Sequence, residues 1–171
     1  MIATAPVSLN GADLDLAALE QIADGRPAAL DPSVLQQIRA SRQVVDDLLA
    51  RGEVAYGLNT GFGRLAHRRI EPDQVRALQR NLVLSHSAGM GPLLPDRTVR
   101  AMIALRVNAL VRGLSGIRVE VLEALLGLLE HGIHPCVPSR GSVGASGDLA
   151  PLSHIALGLI GEGQVSWRGR V

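Results

Sequence analysis

Aromatic residues are almost missing from this 171-residue sequence, which holds one Tyr, one Phe and one Trp, 2% in all. Any core must then be built from Leu, Val, Ile and Ala, within a hydrophobic fraction of 47%. An Ala/Leu-rich palette of that kind favours helices packed on helices. Cysteine is scarce as well. Cys136 stands alone, which excludes an internal disulfide framework and a thiol cluster for zinc, and fits a reducing compartment. Neither sign of charge dominates, since 17 basic and 16 acidic residues give a formal net charge of +1. With no polybasic stripe and no acidic tail, no nucleic-acid partner is expected. The sequence also lacks any charge-free apolar run of about 18 residues, and its first residues show no basic segment followed by a long apolar one. The expectation is a soluble, cytoplasmic protein with no membrane partner. No internal repeat, low-complexity segment or linker divides the chain, so residues 1–171 are expected to form a single domain portion.

What is present is helical periodicity punctuated by Gly and Pro. Residues 13–24 read as a short helix, with Asp13 as N-cap, Leu14, Leu16, Leu19 and Ile22 as the apolar set and Gly25 as the stop. Asp31-Pro32 opens a second helix, with Val34, Leu35, Ile38, Val44, Val45, Leu48 and Leu49 at helical spacing and Gly52 closing it. Residues 53–56 read as a short extended piece. The loop Gly57-Leu-Asn-Thr-Gly-Phe-Gly63 follows, its three glycines and Asn59 suited to positive φ. Helices are expected again over residues 72–86, from Pro95-Asp96 to about Val111, and from about Arg118 to Glu130. The last two carry apolar stretches (Met102, Ile103, Leu105, Val107, Leu110; Val121, Leu122, Leu125, Leu126, Leu128, Leu129) that a lone small bundle would struggle to cover, which implies burial against further protein. A final helix is expected from Leu149 to about Ile160, and residues 164–171 read as a strand and the start of a turn. The fold class is thus mainly α, with a few short strands or hairpins.

The stretch Gly141-Ser-Val-Gly-Ala-Ser-Gly-Asp-Leu-Ala-Pro151 stands apart. Its centre, Gly144-Ala145-Ser146-Gly147, gives up more backbone entropy on ordering than almost any other composition, so something must offset that loss. Four roles can be weighed for it. Glycines ahead of a helix can cradle a phosphate, but neither Gly-Lys-Ser/Thr nor Gly-x-Gly-x-x-Gly is present. A serine hydrolase with Ser146 as nucleophile and His154 or His86 as base would want Gly-x-Ser-x-Gly on a strand-to-helix elbow, and the sequence reads Gly-Ala-Ser-Gly. A plain connecting loop leaves the neighbouring motifs unexplained. Self-cyclisation is the fourth. In a tight bend the nitrogen of Gly147 can reach the carbonyl carbon of Ala145, because neither side chain blocks the approach. Loss of two waters, one from ring closure and one from the Ser146 side chain, leaves a five-membered ring with an exocyclic methylidene. No ordinary side chain supplies such an electrophile, and Asp148 stands beside it to assist the proton transfers.

The segment from Gly141 through Ser-Val-Gly-Ala-Ser-Gly-Asp-Leu-Ala-Pro-Leu-Ser to His154 resembles the signature of the aromatic amino acid ammonia-lyases, in which Ala-Ser-Gly becomes the methylidene-imidazolone (MIO) prosthetic group. Tyr56-Gly-Leu-Asn-Thr-Gly-Phe-Gly63 is similar to that family's second motif, whose tyrosine is the catalytic base. Asn81-Leu-Val-Leu-Ser-His-Ser-Ala-Gly89 resembles the segment that, in histidine-specific members, carries a Ser-His pair facing the substrate side chain, where phenylalanine-specific members have an apolar pair. The likeness runs in register from about Leu9. It implies the N-terminal helical domain of an ammonia-lyase-like helical bundle. It makes Ala145, Ser146 and Gly147 the source of a covalent, self-derived MIO cofactor, with no metal and no nucleotide. Tyr56 would remove a β-proton of the substrate, which asks a phenol of ordinary pKa about 10 for a desolvated site or a lowered pKa. His86, with Ser85, would recognise the substrate imidazole. Attack of the substrate amine on the methylidene would turn ammonia into a better leaving group. The implied reaction is the non-oxidative deamination of L-histidine to trans-urocanate.

The remaining candidates carry less chemistry. His131 and His134 stand at a helix end without a thiol or carboxylate pair, so no metal site is expected. His154 is assigned to helix packing, Phe62 and Trp167 to loop and hairpin packing, and Arg112 and Arg140 to a surface or an interface. Family members are much longer chains that form homotetramers with shared active sites, and their later segments supply an asparagine, a second tyrosine, an arginine and a glutamate. Ser87 stands where alanine is commoner in histidine-specific members. The expectation is an N-terminal portion, inactive until a complementary chain completes it. Two other readings remain open: another aromatic amino acid ammonia-lyase or an aminomutase, which uses the same ring and tyrosine, and a non-catalytic fragment acting as an assembly partner.

Overall fold

Proline and glycine punctuation sets the element boundaries in a computed structural model, which describes residues 5–143 and 147–171. In chain order the elements are β1 (Val7–Leu9), α1 (Leu16–Ala23), β2 (Ala28–Leu30), α2 (Leu35–Ala50), α3 (Pro72–His86), β3 (Met90–Leu93), α4 (Asp96–Leu110), α5 (Val119–Glu130), β4 (Ile133–Pro135), β5 (Pro138–Arg140), α6 (Leu149–Leu159) and β6 (Val165–Trp167). The fold is mainly α, as its apolar spacing predicts. The strands form three two-stranded sheets: β1 with β2 in parallel, and β3 with β5 and β4 with β6 antiparallel.

Local hydrogen bonding moves two expected boundaries. The first helix is capped by Asp15, whose Oδ1 accepts the Ala18 N–H at 2.7 Å, and not by Asp13. Asp13 is held in a preceding turn by Asn10, whose Nδ2 donates to Asp13 Oδ2 at 2.6 Å while its Oδ1 accepts the N–H groups of Ala12 and Asp13. Such an Asx turn competes with helix geometry, so the helix begins later. Residues 53–56 form no strand, because the Ala55 carbonyl accepts from the Leu58 and Asn59 N–H groups and closes a turn instead. Asp31 caps as expected, its Oδ1 taking the Ser33 N–H at 2.9 Å ahead of a short 3-10 turn that leads into α2.

The core lies between α4 and α5. Val99, Ile103 and Val107 recur every four residues on α4 and meet Leu122, Leu125 and Leu129 of α5, with Ile22 of α1 and Leu9 of β1 closing the sides. Each such side chain, fully buried, contributes about 1.5–3 kcal/mol. The opposite faces stay open: Leu105 is 50% exposed and Leu114, in the α4–α5 connection, 81%. Among the described residues no helix is long and apolar enough to cross a membrane.

One charge enters this core. Arg100, on α4, is only 8% exposed. Its Nε donates to the carbonyl of Ile22 and its Nη1 to the carbonyl of Leu129, both at 2.9 Å. Both carbonyls belong to the last turns of their helices, which carry the negative end of the dipole, and each has a turn N–H, that of Gly25 or Gly132, and a second lone pair to satisfy. One guanidinium therefore closes the C-terminal ends of α1 and α5. His134 on β4 extends the cluster, its Nε2 3.5 Å from Arg100 Nη1. Its Nδ1 lies 3.2 Å from Asp96 Oδ2, near enough for charge attraction but without hydrogen-bond alignment. Burial pushes the His134 pKa down, and Asp96 opposes that push. His131, by contrast, caps α5, so the two histidines part. Among the described residues no group of three or more His, Cys, Asp or Glu side chains gathers to hold a metal.

Replacing Arg100 with Met would take the guanidinium from two helix-end carbonyls, leaving that of Ile22 with the Gly25 N–H and that of Leu129 with the Gly132 N–H. It is expected to lower the unfolding free energy by about 3 kcal/mol. The exposed Arg76→Met change should stay within about 0.5 kcal/mol. Urea unfolding of both variants checks this.

Candidate active site

Three pieces of chain converge: the loop after α2, the last turn of α3, and the entry to α6. The first is built around Asn59, which is 6% exposed. Its Oδ1 accepts the Ala55 N–H at 2.9 Å and its Nδ2 donates to the Glu53 carbonyl at 2.8 Å. Its own carbonyl accepts the Ile70 N–H at 2.9 Å, while Gly61 donates to the Arg68 carbonyl and Thr60 bridges to Arg69. The loop thus doubles back on residues 68–70. Of the four residues suited to it, positive φ occurs at Gly57 and Gly63 and not at Asn59 or Gly61. Asn59 acts through its side chain. Gly61 is needed for space, since a Cβ there would come within 2.5 Å of the Leu65 carbonyl oxygen.

Tyr56 stands at the head of this loop, 66% exposed. Its ring meets Phe62 edge-on, with centroids 5.8 Å apart, so Phe62 packs within the loop as expected. Gln79 of α3 donates to the Gly57 carbonyl at 3.2 Å and docks the loop on that helix. In the last turn of α3, His86 Nδ1 lies 2.8 Å from the Leu82 carbonyl. A carbonyl only accepts, so Nδ1 carries the proton and Nε2 is the acceptor of the neutral ring. Ser85 Oγ donates to the same carbonyl at 2.9 Å and lies 3.2 Å from His86 Nδ1.

At the entry to α6, Gly147 and Asp148 both have left-handed backbones, with φ of 87° and 55°. For Asp148 that conformation costs about 1 kcal/mol. Its side chain does not cap α6; Ser142 Oγ donates to Asp148 Oδ1 instead and joins the two ends of the intervening segment. Ala145 and Ser146, the other two residues expected to form the ring, lie outside the described residues. Among the described residues a Cβ on Gly147 would meet nothing within 4 Å, so glycine there answers to the positive φ and not to space.

A cavity of about 420 Å³ is lined by Tyr56, Phe62, Gly63, Leu82, Val83, His86, Leu149 and Ser153. It brings Tyr56 and His86 together against the first residue of α6. Phe62, Leu82 and His86 also wall a second cavity of about 680 Å³ that includes Ser85. Gly147 and Asp148 line a separate cavity of about 520 Å³ with Ser142. Tyr56, His86 and Ser85 are therefore neighbours, whereas the Asp148 carboxylate is engaged by Ser142.

A model of the family described as aromatic amino acid lyase matches residues 14–171. The chain belongs to the aromatic amino acid lyase family. It is 53% identical over 143 residues to the histidine ammonia-lyase of Psychromonas ingrahamii, a match covering 84% of this chain and 28% of that protein. With the histidine ammonia-lyase of Chloroflexus aurantiacus it shares 48% identity over 169 residues, or 96% of this chain and 32% of that one. Among solved structures, histidine ammonia-lyase from Trypanosoma cruzi superposes with a TM-score of 0.89 at 38% identity, covering 97% of this chain and 32% of that chain. Tyrosine aminomutase from Streptomyces globisporus gives 0.90, also at 38% identity, covering 97% and 31%. The chain spans less than a third of the length of these relatives.

Three contributors were hidden in the sequence. Gln79 and Ser142 are polar residues of ordinary helix and loop surroundings, and their partners lie far along the chain or across a turn. Asn59 had a local signal, a polar pair with Thr60 between Leu58 and Gly61. Trp167 packs within its hairpin as assigned, half-exposed, bridged to Arg170 and with the Arg168 guanidinium 4.5 Å over its ring.

Replacing Asn59 with Ala should unfasten the loop from inside. Amide exchange at Ala55 is expected to quicken by at least about tenfold, the loss of a buried hydrogen bond, while Val99 in the α4 core keeps its protection. Hydrogen-exchange NMR makes the comparison.

Proposed function

We propose that residues 1–171 form the electrophile-bearing and substrate-reading portion of an ammonia-lyase that converts L-histidine to trans-urocanate and ammonia. The observation that carries this reading is the single cavity shared by Tyr56 and His86, set against the start of α6 just beyond the Ala-Ser-Gly segment. The MIO ring derived from Ala145, Ser146 and Gly147 supplies an electrophilic carbon for the substrate amine. Everything else falls to side chains of the protein. Tyr56 takes the β-proton. His86 presents Nε2 to the substrate imidazole, and the Leu82 carbonyl fixes its tautomer with Ser85 alongside. Asp148, held by Ser142, assists the proton transfers of ring closure.

Tyr56 is 66% exposed, and an ordinary phenol, with a pKa of about 10, is protonated at neutral pH. Covering protein would have to bring hydrogen-bond donors or positive charge that favour the phenolate. That fits a cytoplasmic homotetramer with shared sites, completed by segments beyond these residues. Histidine is favoured as substrate by the 48–53% identity to histidine ammonia-lyases and by the Ser85-His86 pair. An aminomutase is the second reading, supported by the TM-score of 0.90 to the tyrosine enzyme.

Intact-mass spectrometry is expected to find the folded, completed enzyme lighter than its sequence by two waters, with the full mass restored in Ser146→Ala. No deficit, together with full activity in that variant, would overturn the reading. In the completed enzyme, His86→Leu should lower kcat/KM for histidine by about 100-fold, as for loss of a hydrogen-bonded substrate contact. Unchanged kinetics would remove His86 from its role. A β-amino acid product in place of urocanate would select the aminomutase. Turnover by the 171-residue chain alone would show that it needs no completion.

A further inference from the structure

We propose that His154 is a positioning residue: its neutral imidazole accepts the Gly89 N–H at Nε2 and so fixes the backbone just beyond His86 against α6. The proposal's bearing on catalysis rests on reading Ser85 and His86 as the substrate-recognising pair. The contact itself does not.

The geometry is confined. Gly89 lies three residues past His86, and its N–H donates to His154 Nε2 at 3.1 Å. A Cβ on Gly89 would stand 2.9 Å from that nitrogen and 3.1 Å from Pro138 Cβ. At Gly141 a Cβ would come 3.1 Å from Gly89 Cα and 3.2 Å from Ala150 Cβ. Two backbones therefore meet directly, the approach to β3 at Gly89 and the chain at Gly141, with the small Ala150 Cβ of the first turn of α6 against them. The pairing of β3 with β5 continues the junction, with Met90 opposite Arg140. His154 is the side chain that supplies a directional bond there. Ser153, its neighbour, lines the cavity of Tyr56 and His86. A shift of Gly89 relative to α6 would thus move His86 relative to Gly147.

Protonation state decides whether the bond exists. A neutral ring with its proton on Nδ1 offers Nε2 as an acceptor; an imidazolium offers two donors and would face the Gly89 N–H with another N–H. Burial alone pushes the His154 pKa below 6.5. The ionisable groups on the elements packed against α6 are Asp148 before it, Arg140 on β5, His134 on β4, and Asp73, Arg76, Arg80 and His86 on α3, with Arg80 paired with Glu162. Because the folded-state pKa is depressed, the unfolded chain holds more proton between that pKa and 6.5. Stability from this group is full above that window and falls as pH drops through it.

The test uses amide NMR on the 171-residue chain. Gly89 should be protected at pH 7.5, and its amide shift should follow the protonation of His154 below pH 6.5. His154→Ala should speed Gly89 exchange by about tenfold or more, as a broken buried hydrogen bond does, and should shift the His86 resonances. His154→Gln, whose amide oxygen can accept the same proton, should restore protection and remove the pH dependence. Unchanged Gly89 exchange in His154→Ala, an unmoved His86 in that variant, or a pH dependence surviving in His154→Gln would each overturn the proposal. Should His154→Ala not fold, the native titration and His154→Gln decide it. The readout is a backbone amide and not turnover, so it can fail while the lyase reading stands. His86→Leu leaves the Gly89 contact in place, so the lyase reading can fail while this one stands.

Discussion

The close approach of two backbones, at Gly89 and Gly141, decides where the candidate catalytic groups stand. Gly89 follows the helix that ends in His86, and Gly141 begins the segment that leads to Gly147 and Asp148. A side chain at either position would meet backbone or packed atoms at 3.2 Å or less. Substituting either would drive α3 and α6 apart, since the interior has no slack to absorb a methyl group. The end of α3 and the entry to α6 therefore share one frame, and glycine is what lets that frame close.

Beneath this junction lies a platform of different character. The α4–α5 interface is dry and built from interdigitating Leu, Val and Ile, with a guanidinium at its edge that terminates two helices at once. The site rests on loops above it. Tyr56 is 66% exposed and Leu149, which lines the same cavity, 46%, so an apolar side chain and the phenol lie open together. Protein covering that cavity would bury both in one step.

Helices were legible where the 3.6-residue period persists for eleven or more residues, as in α2, α3, α4 and α5. Most three-residue strands were not, because an alternation so short cannot be told from chance, and β1 with β2 escaped notice for that reason, although β6 falls within the strand expected over residues 164–171. The N-cap of α1 was misplaced by two residues because Asp13 and Asp15 are equivalent in sequence, and only the grip of Asn10 separates them. Arg100 could not be read as buried, since its two carbonyl partners sit 78 and 29 residues away. In the site, motif order carried the chemistry, but the nearness of Tyr56 to His86 is a tertiary fact. It arises from Gln79 holding the Gly57 carbonyl and from the shared wall of Leu82 and Phe62.

These anchors are unequal, and the inequality has a direction. Asp148 is tied to Ser142, Gly89 to His154, and β3 to β5, so the entry to α6 and the end of α3 are cross-linked by several independent bonds. The Tyr56 turn reaches α3 through the single 3.2 Å bond from Gln79, and otherwise depends on hydrogen bonds within its own loop. Segments with few external bonds and exposed side chains open at lower free energy than the core. Of the two candidate side chains that share the cavity, Tyr56 is consequently the one able to adjust its position, while His86 stays fixed relative to the first turn of α6. Under the proposed roles, a base that must approach a proton after substrate has seated is better placed on the adjustable part, and a group that must read the substrate at a set distance on the rigid one.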